Sequence, residues 1–476
     1  MKRTKIVCTI GPSSNSEKVL TQLIKAGLNV ARLNFSHGTY AEHKKVINSI
    51  RNLSLKLEQP ITILQDLQGP RIRLGALPQK GIELKNRANV ILTTNSKAKL
   101  PKIPVTYDKL HLDVKKGQTL LLVDGIIDLK VIKVSGQDIH CVVRNGGMIF
   151  SHKGINLPQT KLSIPTITAK DKKDLEFGIK NKIDMVALSF VRSDQDVLDL
   201  KKIIKLLENK YQGKKAMPTQ VIVKLEKPEA VKNINKIIKA TDGVMVARGD
   251  LGIEMSPDKV PLVQKQVITK CLAAAKPVIV ATQMLDSMIY NPRPTRAEVS
   301  DVANAVIDHT DAIMLSGETA NGKYPLAAVK IMAQIAQRTE KSKYDDLELR
   351  RVFKGKAKIG QAISSSAQLL AKDLKAKAIL VTSLSGQTAR YVSRYRPELP
   401  ILVATNNEKV KHQLNLSWGV IPFVLPKCTN IEELTAKAIK YITQKGLVKK
   451  NDKIIIVAGF PLNKSGTINW INIHQI

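Results

Sequence analysis

The sequence predicts an α/β protein: a closed (β/α)8 barrel, or TIM barrel, with an inserted all-β lid domain and a C-terminal α/β domain. Short apolar strands alternate eight times with amphipathic helices, the alternation breaks once for a long β-rich segment, and a second α/β pattern follows the eighth strand. Strands joined by helices pair in parallel, and eight of them favour a closed barrel with functional groups at the carboxyl ends of the strands. On the pattern alone, an open doubly wound sheet is the alternative.

The eight barrel strands are predicted from short apolar runs rich in β-branched and aliphatic residues. Each run is followed by a turn or by a helical pattern, which is typical of parallel strands linked by crossovers. In chain order the runs are Lys5–Ile10, Val30–Phe35, Ile61–Leu67, Asp184–Phe190, Val221–Glu226, Gly243–Arg248, Val278–Gln283 and Ala312–Gly317.

The break in the pattern predicts the lid. From about Pro70 to Pro165, short β-rich runs are separated by turns, with no helical period over most of the segment. An insertion at the catalytic face of a barrel can close over substrates and exclude water. We therefore predict a discontinuous barrel domain at residues 1–69 and 166–345, with the lid at residues 70–165.

A separate domain follows the barrel. From about Gly355 a second α/β pattern begins, and we predict a C-terminal α/β regulatory domain at residues 346–476. Its predicted strands are Ala378–Thr382, Ile401–Ala404 and Lys453–Gly459.

The composition narrows the class of protein. The chain has 476 residues, a formal net charge of +36 and 4% aromatic residues. This charge invites a nucleic-acid or membrane interpretation, but the lysines are scattered, no aromatic-interleaved basic stripe is present, and no apolar run reaches membrane length. The cysteines are far apart and show neither a disulfide framework nor metal-ligand spacing. We expect a cytoplasmic protein with anionic metabolites as ligands and with no specific nucleic-acid or membrane partner.

Charged side chains end two successive strands. In VIVKLE, the strand period of two places Lys224 and Glu226 on one face together with Ile222. The helical stretch PEAVKNINKIIKA then returns the chain to GVMVARGD, so that Asp250 arrives beside Glu226. Two carboxylates at neighbouring strand ends suit Mg²⁺, which completes its shell with water and substrate oxygens. For either carboxylate alone, a surface salt bridge is the alternative.

The second strand, VARLNFSHG, has a polar face. Arg32, Asn34 and Ser36 share this face, which we expect to point to the barrel mouth. A guanidinium there can clamp phosphoryl oxygens, and the oxygens of Asn34 and Ser36 are of the kind that bind a monovalent cation. A polar strand end that merely caps the sheet is the alternative.

Two glycine-containing turns offer backbone N–H groups to anions. In ARGDLGIEM, Gly249 leaves the backbone uncovered ahead of a helix, where a substrate carboxylate would fit. In TSLSGQT, hydroxyl and N–H groups precede another helical segment and predict a phosphate-binding loop. Its candidate residues are Thr382, Ser383, Ser385, Gly386 and Thr388. A Ser- and Gly-rich turn without a ligand is the alternative.

Together, KLEKPE and GVMVARGDLG closely resemble segments of pyruvate kinases, and matching motifs cover nearly the whole chain. The resemblance implies transfer of the phosphoryl group of phosphoenolpyruvate to ADP, giving pyruvate and ATP in the final step of glycolysis. It implies a homotetramer, and a phosphorylated allosteric effector bound by the TSLSGQT loop and by PLNKSGTINW. It also implies Mg²⁺, with Mn²⁺ as a possible substitute, held by Glu226 and Asp250.

The resemblance further implies roles for single residues. Lys224 would neutralise charge on the transferring phosphoryl group and the enolate, and Thr282 and Ser316, near Glu318, would arrange proton transfer. The substrate contacts would be Arg32, Lys224, Gly249, Asp250 and Thr282, with Arg32 also counted among the catalytic residues. The nucleotide contacts would be Arg73, His37 and Lys153 of the lid.

The sequence departs from the family pattern at one place. Many members carry a threonine after the aspartate of strand three and a glutamate where the loop turns, and they need K⁺. Here Leu67 follows Asp66, and Arg71 takes the place of the glutamate. This resembles the potassium-independent branch, so we expect K⁺ to be dispensable, although Asn34, Ser36 and Asp66 leave a possible K⁺ pocket. A surface-directed Arg71 with no role in the site is the alternative.

Two other classes of function stay open. A Mg²⁺-dependent enolate lyase on a similar barrel could share Glu226 and Asp250, but it would have no use for Arg73, Lys153 and a lid. A noncatalytic basic binding protein would show salt-sensitive polyanion binding and no turnover.

Overall fold

A computed structural model describes residues 2–158, 160–345, 359–459 and 468–476. The first segment supplies three barrel strands and two helices: β1 (Lys5–Thr9), α1 (Glu17–Ala26), β2 (Val30–Asn34), α2 (Tyr40–Lys56) and β3 (Thr62–Asp66). A capping box begins α2, because the side chains of Thr39 and Glu42 each accept the backbone N–H of the other residue.

The lid follows β3 and is almost entirely β-structure. Its elements are β4 (Ile82–Leu84), β5 (Asn89–Thr93), β6 (Lys102–Pro104), α3 (Leu110–Asp113), β7 (Thr119–Leu122), β8 (Ile127–Ser135), β9 (Asp138–Asn145), β10 (Gly147–Ile149) and β11 (Ile155–Asn156). Six strands form one sheet in the order β11-β7-β8-β9-β5-β6, and β4 pairs with β10. Alternate residues of these strands, among them Leu120, Leu129 and Val143, form a separate apolar core.

The remaining barrel elements alternate strand and helix as the sequence predicts, with one difference. The single helix expected at PEAVKNINKIIKA is divided at Asn233, whose backbone angles (φ −92°, ψ 8°) interrupt the helix and whose side-chain amide donates to the Arg192 carbonyl at 2.9 Å. The elements are α4 (Ala169–Lys180), β12 (Met185–Leu188), α5 (Asp194–Tyr211), β13 (Gln220–Leu225), α6 (Pro228–Lys232), α7 (Ile234–Ala240), β14 (Gly243–Ala247), α8 (Arg248–Glu254), α9 (Val260–Ala274), β15 (Val278–Ala281), α10 (Arg296–Ile307), β16 (Ala312–Leu315), α11 (Gly317–Ala320) and α12 (Pro325–Thr339).

The eight strands close into a barrel. Their order is β1-β16-β15-β14-β13-β12-β3-β2, and β1 pairs in parallel with both β2 and β16. The predicted barrel is therefore confirmed, and the open sheet is excluded. Inward-pointing residues, such as Val30, Ile222 and Met245, form an interior cluster, and Leu416 of the C-terminal domain joins it. The alternate residues pack outward against the helices.

Within the described residues, the C-terminal domain has five strands where the sequence predicted three. Val420–Val424 contains a proline and lies at an edge of the sheet, and Trp470–Gln475 is an antiparallel edge strand; edge positions tolerate the proline and polar residues that weakened both sequence patterns. The elements are α13 (Ile359–Asp373), β17 (Ala378–Thr382), α14 (Gln387–Ser393), β18 (Ile401–Thr405), α15 (Glu408–Leu414), β19 (Val420–Val424), α16 (Ile431–Gln444), β20 (Lys453–Ala458) and β21 (Trp470–Gln475). The predicted boundary at residue 346 lies outside the described residues.

This domain packs against the floor of the barrel, the end opposite the carboxyl ends of the strands. Lys5, which begins β1, donates through Nζ to the Val420 carbonyl at 2.6 Å. Thr62, which begins β3, donates to the His412 carbonyl at 2.5 Å. The contacts leave the barrel mouth and the lid on the far side.

Neither reactive thiols nor membrane helices stand out in the described parts of the chain. All four cysteines are free and buried, and burial raises the pKa of each thiol. No described helix is both long enough and apolar enough to span a bilayer.

Candidate active site

The barrel interior fixes the direction of the side chains at the mouth. Val30 and Ile222 lie inside the barrel, so Arg32 and Lys224, two residues further along β2 and β13, also point inward. Val223, between Ile222 and Lys224, packs outward. The structure therefore has the strand alternation that the sequence predicted.

Lys224 is held by three oxygens. Its Nζ lies 2.7 Å from Glu226 Oε1 and 3.4 Å from Asp66 Oδ1, and it donates to Ser189 Oγ at 2.8 Å. The side chain is only 13% exposed. The ammonium is therefore fixed in position and only partly open to solvent.

Arg32 is held from two sides. Its Nε donates to Asp66 Oδ2 at 2.6 Å, and its Nη1 donates to Thr9 Oγ1 at 2.7 Å. Thr9 in turn donates to the Leu315 carbonyl at 3.1 Å. Asp66, which the sequence placed in a possible K⁺ pocket, thus bridges Arg32 and Lys224 and is almost wholly buried.

The pKa shifts show where charge is balanced and where it is not. Burial alone would lower the pKa of Lys224, but Asp66 and Glu226 outweigh it and raise that pKa. Burial raises the pKa of Glu226 to about 7, and the charge of Asp250 adds to this rise against the opposing effect of Lys224. In an isolated ion pair, the lysine pKa would rise and the carboxylate pKa would fall, whereas here both pKa values rise. The cluster explains this, because the charge of Lys224 is shared with Asp66 while Asp250 repels Glu226. Excess negative charge therefore lies at Glu226 and Asp250.

These two carboxylates fit a divalent cation. A second positive charge near Glu226 and Asp250 would stabilise the ionised form of Glu226, which burial disfavours. Within the described residues, no group of three or more His, Cys, Asp or Glu side chains is arranged to hold a metal. A cation here therefore relies on few protein oxygens and takes the rest from water or substrate, as Mg²⁺ commonly does.

The turn after β15 controls the amide of Gly249. Thr282 has a φ of 71°, in the left-handed region that β-branched residues rarely adopt. Its Oγ1 accepts the Gly249 N–H at 2.8 Å and donates to the Ala281 carbonyl at 2.6 Å. The uncovered amide predicted at Gly249 is therefore wrong for this conformation, because the Thr282 hydroxyl occupies it. An anion at this N–H would have to exchange with the Thr282 hydroxyl.

Arg248 anchors the same turn, and the sequence analysis missed it. Its Nη1 and Nη2 each lie 2.7 Å from one oxygen of Asp301, and Nη2 also donates to the Thr282 carbonyl at 2.8 Å. Asp301 lies on α10, far along the chain, so no local pattern points to this contact.

Ser316 and Glu318 follow β16. Glu318 is buried and accepts the N–H groups of Ser316 at 2.7 Å and of Leu285 at 3.1 Å. Burial raises the pKa of Glu318. Ser316 Oγ is buried and has no hydrogen-bond partner among the described residues, so it can bind a water molecule or a ligand group.

Arg73 and His37 lie on the lid side of the mouth. Arg73 Nη1 donates to the His152 carbonyl at 3.1 Å. Burial lowers the pKa of His37, and the charges of Arg73, Arg71 and Arg32 lower it further. The three guanidinium groups therefore lie near His37. His37 itself is exposed.

The other predicted contacts on this side are loosely held. Arg71 Nη2 lies 4.0 Å from Asp124 Oδ1 of the lid, with the two side chains 38% and 72% exposed, so solvent screens the pair. Lys153 is exposed on the lid. Asn34 Oδ1 accepts the Ser36 N–H at 3.1 Å, which leaves the amide oxygen partly engaged within its own turn.

The predicted phosphate loop runs from the last residue of β17 into the first turn of α14. Thr382, Ser383 and Thr388 are buried, and Gly386 has a φ of 80°, which suits glycine. The helix that follows has only seven residues. The companion segment PLNKSGTINW spans residues 461–470, and residues 461–467 of it lie outside the described residues.

Sequence reasoning also missed the residues that position Lys224 and Glu226. Ser189 accepts the Lys224 ammonium, and the Phe190 N–H donates to Glu226 Oε2 at 2.6 Å. A signal for Ser189 was present, because Ala187 lies in the barrel interior and the strand period of two points Ser189 the same way.

The site combines a fixed ammonium and a clamped guanidinium with a carboxylate pair suited to a divalent cation, and the edge of the lid beside it is basic. These groups suit the transfer of a phosphoryl group between small anionic substrates, which makes the protein a phosphotransferase. Comparison with known proteins narrows this class. Residues 1–329 match the family "Pyruvate kinase, barrel domain", and residues 361–474 match "Pyruvate kinase, alpha/beta domain". The chain belongs to the pyruvate kinase family and transfers the phosphoryl group of phosphoenolpyruvate to ADP.

Individual relatives agree over the full chain. The pyruvate kinase of Clostridium acetobutylicum is 43% identical, with 100% of both chains covered. That of Geobacillus stearothermophilus is 45% identical, and the match covers 100% of this chain and 80% of the relative. A solved pyruvate kinase structure from Cryptosporidium parvum matches with a TM-score of 0.92 at 36% identity, covering 100% of this chain and 96% of the other. The predicted fold class and activity are thus confirmed.

Proposed function

We propose that phosphoryl transfer takes place on the cluster of Lys224, Arg32, Asp66, Glu226 and Asp250. The observation that carries this proposal is the Lys224 ammonium, fixed by three oxygens at the barrel mouth. Negative charge moves between the phosphoryl group and the enolate oxygen during transfer, and a preorganised ammonium stabilises it without reorganising. Arg32, immobilised by Asp66, is suited to clamp the phosphoryl oxygens.

Glu226 and Asp250 would hold Mg²⁺, with Mn²⁺ as a substitute. When bound, the ion supplies charge neutralisation and orientation to substrate oxygens. The raised pKa of Glu226 supports this assignment, because the protein alone leaves that carboxylate under-compensated.

The same pair of carboxylates gives the first test. Glu226→Gln and Asp250→Asn should each weaken Mn²⁺ binding, measured by the paramagnetic resonance signal of free Mn²⁺, by at least roughly tenfold, the scale for perturbing a metal site. Asp258→Asn, which removes an exposed carboxylate just beyond α8, is the matched control and should bind Mn²⁺ normally. Unchanged Mn²⁺ affinity in both site variants would remove the metal from this pair.

Residues at the ends of β15 and β16 would deliver a proton. After phosphoryl transfer, the enolate of pyruvate must gain this proton at carbon. Thr282 and Ser316 can order a water molecule there, and the unpartnered Ser316 Oγ supports this role. Glu318 holds the Ser316 backbone in place at 2.7 Å.

The lid side would receive the nucleotide. Arg73 and His37 border the mouth, and Lys153 extends from the lid, so their charges and donors can contact the ADP phosphates. Closure of the lid would then keep water away from the transferring group.

Arg71 would replace K⁺. It makes only a loose, exposed contact with Asp124, so its charge is not neutralised by a close carboxylate. Asp66, which could otherwise help bind K⁺, already bridges two protein cations. These two observations support our proposal that the chain belongs to the potassium-independent branch of the family.

Turnover in a K⁺-free buffer with Mg²⁺ should approach turnover in saturating K⁺, because the permanent positive charge of Arg71 would take the place of the ion. Arg71→Glu, alone or with Leu67→Thr, should introduce a K⁺ requirement. Arg144→Glu is the matched control, because Arg144 also makes a loose 4.0 Å contact with a lid carboxylate. A wild-type enzyme that is nearly inactive until K⁺ is added would refute the substitution.

Regulation and assembly complete the proposal. The loop of residues 382–388 would bind the phosphate of an allosteric effector, and the chain would form a homotetramer, both on the strength of the family resemblance. Sedimentation of the full-length protein and substrate saturation curves with phosphorylated metabolites test the two statements. A monomer, or curves that neither the metabolites nor Ser385→Glu alter, would remove them.

A further inference from the structure

A buried ion pair lies beside the two carboxylates of the proposed metal site and joins the same two segments of chain. Lys227 Nζ lies 2.7 Å from Glu254 Oε1, and both residues are buried. Lys227 directly follows Glu226, and Glu254 lies four residues after Asp250 in α8. Helix positions four apart lie on the same side. The ion pair therefore links the neighbour of one carboxylate to the residue one helical turn beyond the other.

The parallel ladder between β13 and β14 ends before the chain reaches these carboxylates. The last residues in its register are Leu225 and Val246. Glu226 lies one residue beyond that pair, and Asp250 lies four residues beyond it. The two carboxylates repel each other when both are ionised. Contacts beyond the ladder therefore have to keep the end of β13 and α8 at a fixed spacing.

The Glu254 carboxylate is also held from the lid. Asn156 of β11 donates through Nδ2 to the same oxygen, Oε1, at 3.0 Å. Lys227, Asp250 and Glu254 line one cleft between the lid and the barrel mouth. Because the pair is buried and its carboxylate has a second donor, it is held in one geometry, unlike an exposed pair of flexible side chains.

We propose that Lys227 and Glu254 are positioning residues that hold Glu226 and Asp250 at the spacing a divalent cation requires. The inference rests on the proposed function, because it takes Glu226 and Asp250 as the ligands of Mg²⁺. Neither positioning residue contacts the ion. Groups that orient metal ligands in advance strengthen binding, because less order has to be imposed when the ion arrives.

Mn²⁺ binding to the full-length protein, measured by the paramagnetic resonance signal of free Mn²⁺, tests the proposal. Lys227→Met removes a positive charge near the site, so an effect of charge alone would tighten Mn²⁺ binding. Loss of positioning should instead weaken binding by roughly tenfold, the lower end of the scale for residues that orient metal ligands. Tighter or unchanged binding in folded Lys227→Met would overturn the proposal.

The double variant Lys227→Met, Glu254→Gln keeps the test decisive if Lys227→Met does not fold. It removes both charges of the pair, so no buried carboxylate is left without its counter-charge. The net charge near the site also stays as in the wild type. Mn²⁺ binding should again weaken by roughly tenfold. Wild-type affinity in this variant would show that the pair only stabilises the fold, and it would overturn the proposal.

Lys409→Met is the matched control. Lys409 Nζ lies 3.0 Å from Glu208 Oε1, and this largely buried pair also joins two elements, α15 and α5, but away from the barrel mouth. Lys409→Met should bind Mn²⁺ normally. An equal loss of affinity in this control would show a general effect of breaking a buried ion pair, which would overturn the positioning role.

Glu226→Gln, measured in the same series, separates this inference from the proposed function on which it rests. If Glu226→Gln weakens Mn²⁺ binding and the double variant does not, the metal site stands and only the positioning role is overturned. If Glu226→Gln binds Mn²⁺ as tightly as the wild type, the metal site and the positioning role are both overturned.

Discussion

Ser189 shows how one hydroxyl can position a catalytic group. Its hydroxyl donates to the Leu67 carbonyl at 2.7 Å and accepts a hydrogen bond from the Lys224 ammonium at 2.8 Å, which uses its hydrogen and one of its two lone pairs. The carbonyl fixes the direction of the hydroxyl, and the hydroxyl in turn fixes the ammonium. We infer that Ser189 acts through Lys224 rather than on the substrate.

Ser189→Ala should lower kcat roughly tenfold, the scale of one hydrogen bond to a charged group, and should change the KM for phosphoenolpyruvate much less. Steady-state kinetics measure both constants. Ser54→Ala is the matched control, because Ser54 is also buried and donates to a carbonyl, that of Gln59 at 2.6 Å, in a loop after α2. An equal loss of kcat in both variants would show a general structural effect.

For single residues, the sequence predicted the side-chain directions that follow from strand alternation. It did not predict hydrogen bonds between residues that are distant in the chain. Lys224 and Glu226 follow directly from the period of two in β13. The partner of the Gly249 N–H does not follow from any local period. It is the hydroxyl of Thr282, which lies in the turn after the next strand and has an unusual backbone angle.

Among the elements, Asp184 joins three parts of the fold. It precedes β12 and accepts from Arg51 of α2 at 2.9 Å and from the Ile63 N–H of β3 at 2.7 Å. His412 of α15 lies 3.4 Å away. Burial alone would raise the pKa of Asp184, but Arg51 and His412 outweigh it and leave that pKa lowered.

Asp184→Asn should reduce the free energy of unfolding at neutral pH by about 3 kcal/mol, because it leaves a partly buried arginine without its counter-charge. A lowered folded-state pKa gives stability that is present above the unfolded-state pKa of about 3.9 and is lost as the pH falls through the folded-state pKa. The difference between wild type and variant, measured by urea unfolding, should therefore persist at pH 7 and pH 5 and shrink below about pH 4.

Asp199→Asn is the control for this measurement. Asp199 makes an exposed pair with Lys202 at 3.1 Å, so its loss should leave the free energy of unfolding nearly unchanged. A difference for Asp184→Asn that is equally small, or that grows in acid, would contradict the assigned role.

The elements themselves were predicted well where their patterns are strong. All eight barrel strands were found, because each is a short apolar run between helices. The two missed strands, β19 and β21, lie at sheet edges, where a proline and exposed polar residues obscure the pattern. The division of one helix into α6 and α7 depends on a contact of Asn233 with a residue some forty positions earlier.

At the scale of the whole molecule, closure of the barrel brings residues from β1, β2, β3 and β13 into one cluster. The sequence could predict this meeting, because the carboxyl ends of parallel strands share one edge. It could not predict how the C-terminal domain packs against the floor of the barrel. That packing depends on contacts between residues far apart in the chain, such as the bond from Lys5 Nζ to the Val420 carbonyl at 2.6 Å.

The central claim is that a fixed ammonium at the barrel mouth stabilises phosphoryl transfer. A coupled assay of ATP formation from phosphoenolpyruvate and ADP tests it most directly, with wild type, Lys224→Met and Lys5→Met compared. Lys5 is a buried lysine at the floor, bonded to the Val420 carbonyl at 2.6 Å, so it controls for loss of a buried ammonium away from the site.

Lys224→Met should lower kcat by roughly a hundredfold to a thousandfold, the scale for losing one preorganised donor, and should change the KM for phosphoenolpyruvate far less. Lys5→Met should keep its kcat. A folded Lys224→Met enzyme with near-wild-type kcat would contradict the claim.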